Sequence, residues 1–258
     1  MFERLNDNIW RHHDAAGCTC YLVVGEERAA MIDCGGTGEP VMAELRAITP
    51  LPVDLLLTHA HPDHFGAAYE FDRVWLHQAD AAVLDEFEQF FACLNIAPIR
   101  RETLHTFADG HVFPLGGRSL TAIHLPGHTP GSSVFADDAG KCLFTGDALG
   151  SGDFVLMSLP RTDCLSRYRE NLMTFLDRTA DRADYTWHAG HYHQAQRPDG
   201  TVNPPCRRLC EDMASLCGKI LSGQVQGKEV QEAFAPNGKA LRADDGTAGI
   251  IYNRNQQC

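Results

Sequence analysis

The chain has 258 residues, of which 44% are hydrophobic, and a formal net charge of −12. A chain of this length can bury a large core as one big domain. The acidic balance argues against a broad nucleic-acid-binding surface, because phosphate contacts need clustered Lys and Arg and the basic residues here form no block. We therefore expect a small-molecule substrate and no nucleic-acid partner.

The first residues lead into a polar stretch, and no apolar signal core or spanning segment of about 20 apolar residues follows. We accordingly expect no membrane partner and a cytoplasmic location. The 10 cysteines are scattered, and a chain of this size needs no disulfide staples, so we expect them to be reduced. The sequence does not decide whether the protein forms a homo-oligomer, and a homo-oligomer is one possibility.

Strand patterns alternate with helix patterns in the first half of the chain. A short apolar run at residues 53–57 is typical of a strand buried on both faces. A hairpin is indicated further on, with its turn at residues 137–140. The predicted elements of this half are strands at 17–24, 29–33, 53–57, 73–76, 119–125, 132–136 and 141–144, and helices at 38–48 and 78–94.

Helical patterns are more frequent in the second half. The predicted elements are helices at 163–178, 205–221 and 228–234, and strands at 185–188 and 249–252. No repeat, low-complexity tract or linker separates two domains. Strands interspersed with helices favour sheets that are covered on the outside by helices, with the residues after 204 as a helical cover.

The segment at residues 58–64, THAHPDH, places three imidazoles and one carboxylate directly after the buried strand. In an extended segment, His59 and His61 project to the same side, so both can bind one ion. Asp63 and His64 can turn toward a second ion. Such a group is costly to bury without a metal, and the sequence therefore predicts a metal site at the end of this strand.

Three later motifs supply the remaining candidate ligands. His128 lies between glycines at residues 127–132, Asp147 follows Gly146, and His191 follows Gly190. A lone histidine is usually a packing or surface residue, but the glycines permit a close approach of the backbone. Together with the segment at residues 58–64, these residues provide seven ligands, which is enough for two metals with an open position for water.

These motifs resemble those of the metallo-β-lactamase fold superfamily, which includes glyoxalase II-like thioesterases, lactonases and lactamases. The resemblance covers most of residues 17–193, and Asp33 at residues 32–35 contributes to it. It implies an α+β fold, a four-layer αββα sandwich with a C-terminal helical extension. The expected organisation is a metallo-β-lactamase-like domain over residues 1–204 and a mainly helical extension over residues 205–258, packed on the same domain.

The resemblance also implies roles for individual residues. The first metal is expected on His59, His61 and His128, the second on Asp63, His64 and His191, and Asp147 is expected to bridge them. Asp33 is expected to orient the cluster by hydrogen bonding, with a turn-capping carboxylate as the alternative. We expect two Zn²⁺, with Fe or Mn as alternatives, and we expect Asp63 and Asp147 to be the catalytic carboxylates.

The predicted function is hydrolysis of a small ester, lactone or thioester. A water molecule shared by two cations loses its proton near neutral pH and can attack a carbonyl as metal-bound hydroxide. An Asp at position 147 is typical of thioesterases and lactonases, whereas β-lactamases usually have Cys or Ser there, so β-lactam hydrolysis is a weaker alternative. Two other alternative functions are that of a mononuclear non-haem iron sulfur dioxygenase and that of a non-catalytic binding protein on the same fold.

The residues around the substrate are less well defined by the sequence. Residues 86–94 and 150–160 are candidates for pocket walls, although their apolar side chains fit a core equally well. Lys239 and Arg242 are the nearby basic candidates for glutathione carboxylates, but they do not match the glyoxalase II motif residue by residue. Three residues around His191 have no assigned role: His188, Tyr192 and His193.

Overall fold

The protein is described here from a computed structural model that covers residues 1–150, 152–192, 202–256 and 258. Seven strands form the first sheet in chain order. Strands β1 to β4 are antiparallel, and β4 to β7 are parallel. The strands are β1 Glu3–Arg4, β2 Ile9–His13, β3 Thr19–Val24, β4 Ala29–Ile32, β5 Val53–Leu56, β6 Val74–His77 and β7 Leu104–Phe107.

Four short helices connect the parallel strands of this sheet: α1 Met42–Ile48, α2 Pro62–Phe65, α3 Gln78–Ala81 and α4 Leu84–Phe90. The single helix predicted over residues 78–94 is therefore wrong, because the structure divides it after Ala81. Asp80 on α3 is fully buried, and its carboxylate accepts hydrogen bonds from the loops at the sheet edge. These hydrogen bonds tie α3 to the loops, whereas α4 is held by its buried apolar side chains Leu84 and Phe87.

Five strands form the second sheet, in the order β13, β11, β10, β9, β8. The pairs are antiparallel except for β11 and β13, which are parallel. The predicted hairpin is present as β10 and β11. The strands are β8 Val112–Pro114, β9 Ser119–His124, β10 Ser133–Asp137, β11 Cys142–Gly146 and β13 Thr186–Ala189.

The two sheets pack face to face, and each is covered by helices on its outer face. A central apolar cluster joins Ile32 and Leu56 of the first sheet to Leu120 and Phe135 of the second. A second cluster lies between the first sheet and its helices, and a third lies between the second sheet and helices α5 Leu165–Arg178 and α6 Arg207–Leu221. The predicted four-layer αββα sandwich is confirmed.

The C-terminal segment differs from the prediction. The helix predicted near residues 228–234 is wrong, since the chain there forms strand β14 Lys228–Gln231. It pairs with β15 Lys239–Asp245, which pairs with β16 Ala248–Tyr252, and β16 also pairs with β12 Val155–Leu156. The described part of residues 205–258 thus contains one α-helix and three strands instead of being mainly helical. Pairing with β15 holds β14 in the sheet, and Val230 packs on Ala240 and Ile251.

The expectation of reduced cysteines is wrong for one pair, because Cys164 and Cys258 form a disulfide. It fastens residue 258 to the start of α5. Disulfides are rare in reducing compartments, so this pair does not support a cytoplasmic location, which stays a prediction. Across the part of the chain that the structure describes, no helix is both long and apolar enough to cross a bilayer.

Candidate metal centre

The candidate ligands all follow the carboxyl ends of strands at one edge of the sandwich. Asp33 follows β4, residues 58–64 follow β5, His128 follows β9, Asp147 follows β11 and His191 follows β13. The parallel pairs β4–β5 and β11–β13 bring their carboxyl ends to the same edge. The loops of the two sheets therefore meet in one polar cluster.

Each predicted metal subsite forms a compact group of side chains. The ligand atoms of His59, His61 and His128 lie within 4.8 Å of one another, and so do those of Asp63, His64 and His191. His59 Nε2 lies 3.1 Å from His61 Nδ1. This spacing suits two nitrogens that share one cation.

Asp147 lies between the two groups. Its Oδ2 atom is 3.1 Å from His191 Nε2, 3.7 Å from His64 Nε2 and 3.9 Å from His128 Nε2. A carboxylate within reach of histidines from both groups is the geometry that a bridging ligand needs. The structure thus brings together all seven residues proposed as ligands.

Several buried polar atoms of this cluster fit a bound cation. Among the described residues, His64 Nε2, His128 Nε2 and Asp147 Oδ1 are buried without a hydrogen-bond partner. Burying an unpaired polar atom costs about 1–3 kcal/mol, and three such atoms converge here. Imidazole nitrogens and carboxylate oxygens suit Zn²⁺ and also other transition metals, so the residues fit the expected metals.

Hydrogen bonds orient the imidazoles from behind. Asp33 accepts the Thr58 N–H at 2.8 Å and the Thr58 hydroxyl at 2.8 Å, and its Oδ2 lies 2.9 Å from His64 Nδ1. His128 Nδ1 donates to the carbonyl of Leu156 at 2.7 Å. In both histidines the Nδ1 proton is held on this outer side, which leaves Nε2 free to coordinate.

Asp80, which could not be identified from the sequence, joins the loops that carry His59, His61 and His128. Its carboxylate accepts the Ala60 N–H at 2.9 Å, the Thr129 hydroxyl at 2.8 Å and the Gly131 N–H at 2.6 Å. Burial raises the pKa of Asp80 to about 6. A single Asp in a predicted helix carries no sequence signal for this role.

Two glycines allow the close approach that the motifs indicated. A side chain at Gly190 would overlap Asp147 Oδ1, and a side chain at Gly127 would overlap the ring of Tyr168. Gly127 also has a φ of +156°. Both positions therefore require glycine for the ligand loops to reach the cluster.

Electrostatics divide the histidines into two kinds. Burial, together with the neighbouring histidines, lowers the pKa of His59 and His61 well below the ordinary range. Burial also opposes protonation of His191, but Asp147 and Asp63 outweigh it and raise the pKa of His191. The first group thus favours the neutral imidazole that metals require, whereas the carboxylates beside the second group favour a protonated His191 when no cation is bound.

A cavity of about 370 Å³ opens onto this cluster. Its polar floor contains Asp63 and Asp147. The apolar wall comprises Phe91, Leu94, Ile96, Phe154, Leu156, Leu159 and Phe234. Residues 86–94 and 150–160, the two stretches proposed as pocket walls, are each divided between core and cavity. Phe87 and Met157 are fully buried in the core, whereas Phe91 and Phe154 line the cavity.

The other residues considered from the sequence lie outside the cavity lining. Lys239 pairs with Glu229 at 2.7 Å, and Arg242 pairs with Asp153 at 2.9 Å. His188 packs between the rings of Tyr21 and Phe144, and half-exposed Tyr192 packs on His13. His193 lies outside the described residues.

Comparison with protein families agrees with this geometry. Residues 13–186 match the family described as the metallo-beta-lactamase superfamily. The chain belongs to this superfamily. The match includes the ligands from His59 to Asp147, and it ends before His191 and before strands β14, β15 and β16.

Two curated relatives are named for thioester hydrolysis. The chain is 32% identical to hydroxyacylglutathione hydrolase GloC of Haemophilus influenzae over 171 residues, which is 61% of this chain and 80% of that protein. It is 35% identical to acyl-coenzyme A thioesterase MBLAC2 of Homo sapiens over 123 residues, 40% of this chain and 44% of that one. The chain thus spans less than half of the length of MBLAC2. At the level of a metallo-hydrolase, the predicted enzyme class is confirmed.

Solved structures show the same fold. The structure of TTHA1623 in a di-iron-bound form has a TM-score of 0.57 and 26% identity, and covers 74% of this chain and 92% of its own. A metallo-beta-lactamase from Pontibacter korlensis has a TM-score of 0.61 and 19% identity, and covers 84% of this chain and 98% of its own. The second likeness supports the fold alone.

Proposed function

We propose that this protein is a dinuclear metal-dependent hydrolase of small thioesters, with esters and lactones as related substrates. The observation that carries the proposal is the position of Asp147 between two complete groups of three ligands. An Asp at this position fits two cations that share one bridge. The names of the two curated relatives, a hydroxyacylglutathione hydrolase and an acyl-coenzyme A thioesterase, support the thioester.

The first group, His59, His61 and His128, would hold one cation, and Asp63, His64 and His191 would hold the other. We propose Zn²⁺ in both sites, with Fe or Mn as alternatives. When bound, such a pair of cations lowers the pKa of a water molecule and polarises a carbonyl oxygen. The remaining chemistry depends on how the residues of this chain are held.

Asp63 and Asp147 are the two carboxylates that face the cavity. The side chain of Asp63 is 37% exposed and that of Asp147 is 13% exposed, so a substrate entering from the cavity meets Asp63 first. Asp33, behind the cluster, holds the Nδ1 proton of His64 and keeps that ring in one orientation. The apolar wall beside the carboxylates limits the water around the reacting carbonyl.

A panel of substrates, assayed with and without a chelator, tests the proposal. Thioesters, lactones, simple esters, a β-lactam and single-stranded nucleic acid would be compared on the same preparation, with elemental analysis of the protein. We expect about two metals per chain and chelator-sensitive turnover of at least one thioester, ester or lactone, with weak or absent lactam and nuclease activity.

Three outcomes would contradict the proposal. Efficient lactam cleavage without activity on the other carbonyl compounds would indicate a β-lactamase. One metal per chain after reconstitution with excess metal, together with oxygen consumption on a persulfide, would indicate the sulfur dioxygenase. Metal binding without any turnover would indicate a binding protein on the same fold.

A further inference from the structure

The wall of the cavity continues directly from the metal ligands into aromatic side chains. The ring of Phe91 lies 5.1 Å from the ring of His61, and the ring of Phe234 lies 5.2 Å from that of Phe91. Leu156, whose carbonyl accepts from His128, lines the same cavity. A group attached to a carbonyl at the metal cluster would therefore contact apolar surface from its first atoms outward.

Part of this wall comes from the C-terminal sheet. Phe234 lies in the turn after β14, beyond the matched residues 13–186, and Phe154 directly precedes β12 of the same sheet. Pairing of β12 with β16 places residues 154–156 beside the metal cluster. Phe234 is thus a wall residue from beyond the family match, whereas residues 154–156 lie within it.

Two arginines that neighbour wall residues, Arg242 over Phe154 and Arg161 two positions after Leu159, are paired with carboxylates. Arg242 lies over the ring of Phe154 at 5.3 Å, but its guanidinium is held by Asp153 and Asp244. Arg161 pairs with Glu86 at 2.7 Å. Among the described residues that line the cavity, none is Lys or Arg. The described lining therefore offers a substrate carboxylate no cation away from the metals.

We infer that the cavity selects substrates whose acyl group is apolar and uncharged, and that Phe234 is a specificity-determining residue. This inference rests on the proposed hydrolase function. The volume of about 370 Å³ is near the lower end of the roughly 300–1,000 Å³ of small-molecule sites, which suits an acyl chain of a few carbons. Phe91, Phe154 and Phe234 would contact that chain.

A series of thioesters of one small neutral thiol tests the inference, with acetyl, butanoyl, hexanoyl and octanoyl groups. Each methylene buried in an apolar site contributes enough to raise kcat/KM by about fourfold, so we expect the rate constant to rise along the series until the cavity is filled. An adipoyl group, which is a hexanoyl chain ending in a carboxylate, should react at least about tenfold more slowly than hexanoyl because that carboxylate would be buried without a partner.

Phe234→Ala should lower the ratio of kcat/KM for hexanoyl over acetyl by about tenfold, and leave the metal content unchanged. Phe2→Ala is the matched control, since Phe2 is also half-buried, packs on the same core cluster and lies outside the cavity lining. It should leave that ratio unchanged. Phe234→Leu keeps an apolar wall and should restore most of the preference.

The results separate the two levels of inference. A rate constant that is flat or falls along the acyl series, or an adipoyl thioester that reacts as fast as the hexanoyl one, would overturn the apolar selectivity while chelator-sensitive hydrolysis stands. The same ratio in Phe234→Ala and the parent protein would remove Phe234 from the specificity. Absence of chelator-sensitive hydrolysis on every member would overturn the proposed function itself.

Discussion

The metal cluster and the apolar wall face the same cavity, but the chain builds them in different ways. The cluster takes seven polar side chains from segments that follow strand ends, and hydrogen bonds donated to Asp33 and to the Leu156 carbonyl orient His64 and His128. The wall takes apolar side chains from segments that are far apart in the sequence, for example Phe91 and Phe234. Buried polar groups need partners, whereas a buried phenylalanine does not, so only the cluster constrains residue identity strongly. The comparison indicates that reaction chemistry and substrate choice can change separately.

Asp147→Ala is expected to have the largest effect and would test whether the cluster acts as one unit. Removal of the carboxylate between both groups should lower the metal content of both sites and reduce kcat/KM by about 1,000-fold or more. His191→Ala should mainly empty the second site. Elemental analysis of both variants, with kcat/KM on the best substrate, checks this.

Asp138→Ala serves as the control, because Asp138 is an exposed carboxylate that pairs with Arg182 on the surface. It should retain both metals and full activity. Loss of the same single metal in Asp147→Ala and His191→Ala would show that Asp147 does not bridge.

Alanine substitutions at two phenylalanines would distinguish a core residue from a residue of the cavity wall by their effects on stability. Phe87 is fully buried, and Phe87→Ala should lower the free energy of unfolding by about 3–5 kcal/mol. Phe234 is half-buried at the cavity, so Phe234→Ala should cost clearly less. Denaturant titrations of both variants provide the measurement. Equal losses would mean that Phe234 is a core residue and that the wall is structural.

Asp33→Asn tests how far the cluster depends on its surroundings. Asparagine keeps the shape, but its amide group cannot accept every hydrogen bond that Thr58 and His64 donate to the carboxylate. We expect metal affinity to fall by about 10–100-fold, as measured by competition with a chromophoric chelator. Asp137→Asn is the matched control, since Asp137 is equally buried but pairs with Arg118, and an equal loss of affinity there would refute the orienting role.

The contrast between the metal cluster and the apolar wall also explains which features of the structure could be predicted from the sequence. The segment at residues 58–64 is dense in ligands, and the glycines beside His128 and His191 mark close approach, so the members of the cluster could be named in advance. Their convergence follows from strand ends that meet at one edge. The αββα layers were predictable for the same reason, because apolar runs and helix patterns alternate along residues 17–193.

Other features carry no local signal. Phe91 lines the cavity and Phe87 is in the core, although both lie in one helical pattern. The sequence predicts a helix where strand β14 forms, because pairing with β15, and not the composition of the segment, holds it in the sheet. The disulfide joins residues 94 positions apart, and sequence spacing does not reveal such a pair. Asp80 is likewise visible only through its contacts.

The smallest expected effect concerns Asp80, whose hydrogen bonds join the loops that carry His59, His61 and His128. Its pKa of about 6 lies above the ordinary value of 3.8, because burial disfavours the charged carboxylate more than its hydrogen bonds favour it. As the pH rises from about 4 to about 6, the unfolded chain loses this proton first. The contribution of Asp80 to the free energy of unfolding should therefore decrease across this window, by at most about 1.4 kcal/mol per pH unit.

Asp80→Asn isolates this contribution, since asparagine does not titrate. His77 and His188 titrate in the same window in the opposite direction, because their pKa values are lowered to about 4, but their effect is common to both proteins and cancels in the difference. With chelator present at every pH, the stability advantage of the parent protein over Asp80→Asn should shrink between pH 4 and pH 6. A difference that stays constant or grows over this range would show that Asp80 is ionised throughout, stabilised by Ala60, Thr129 and Gly131.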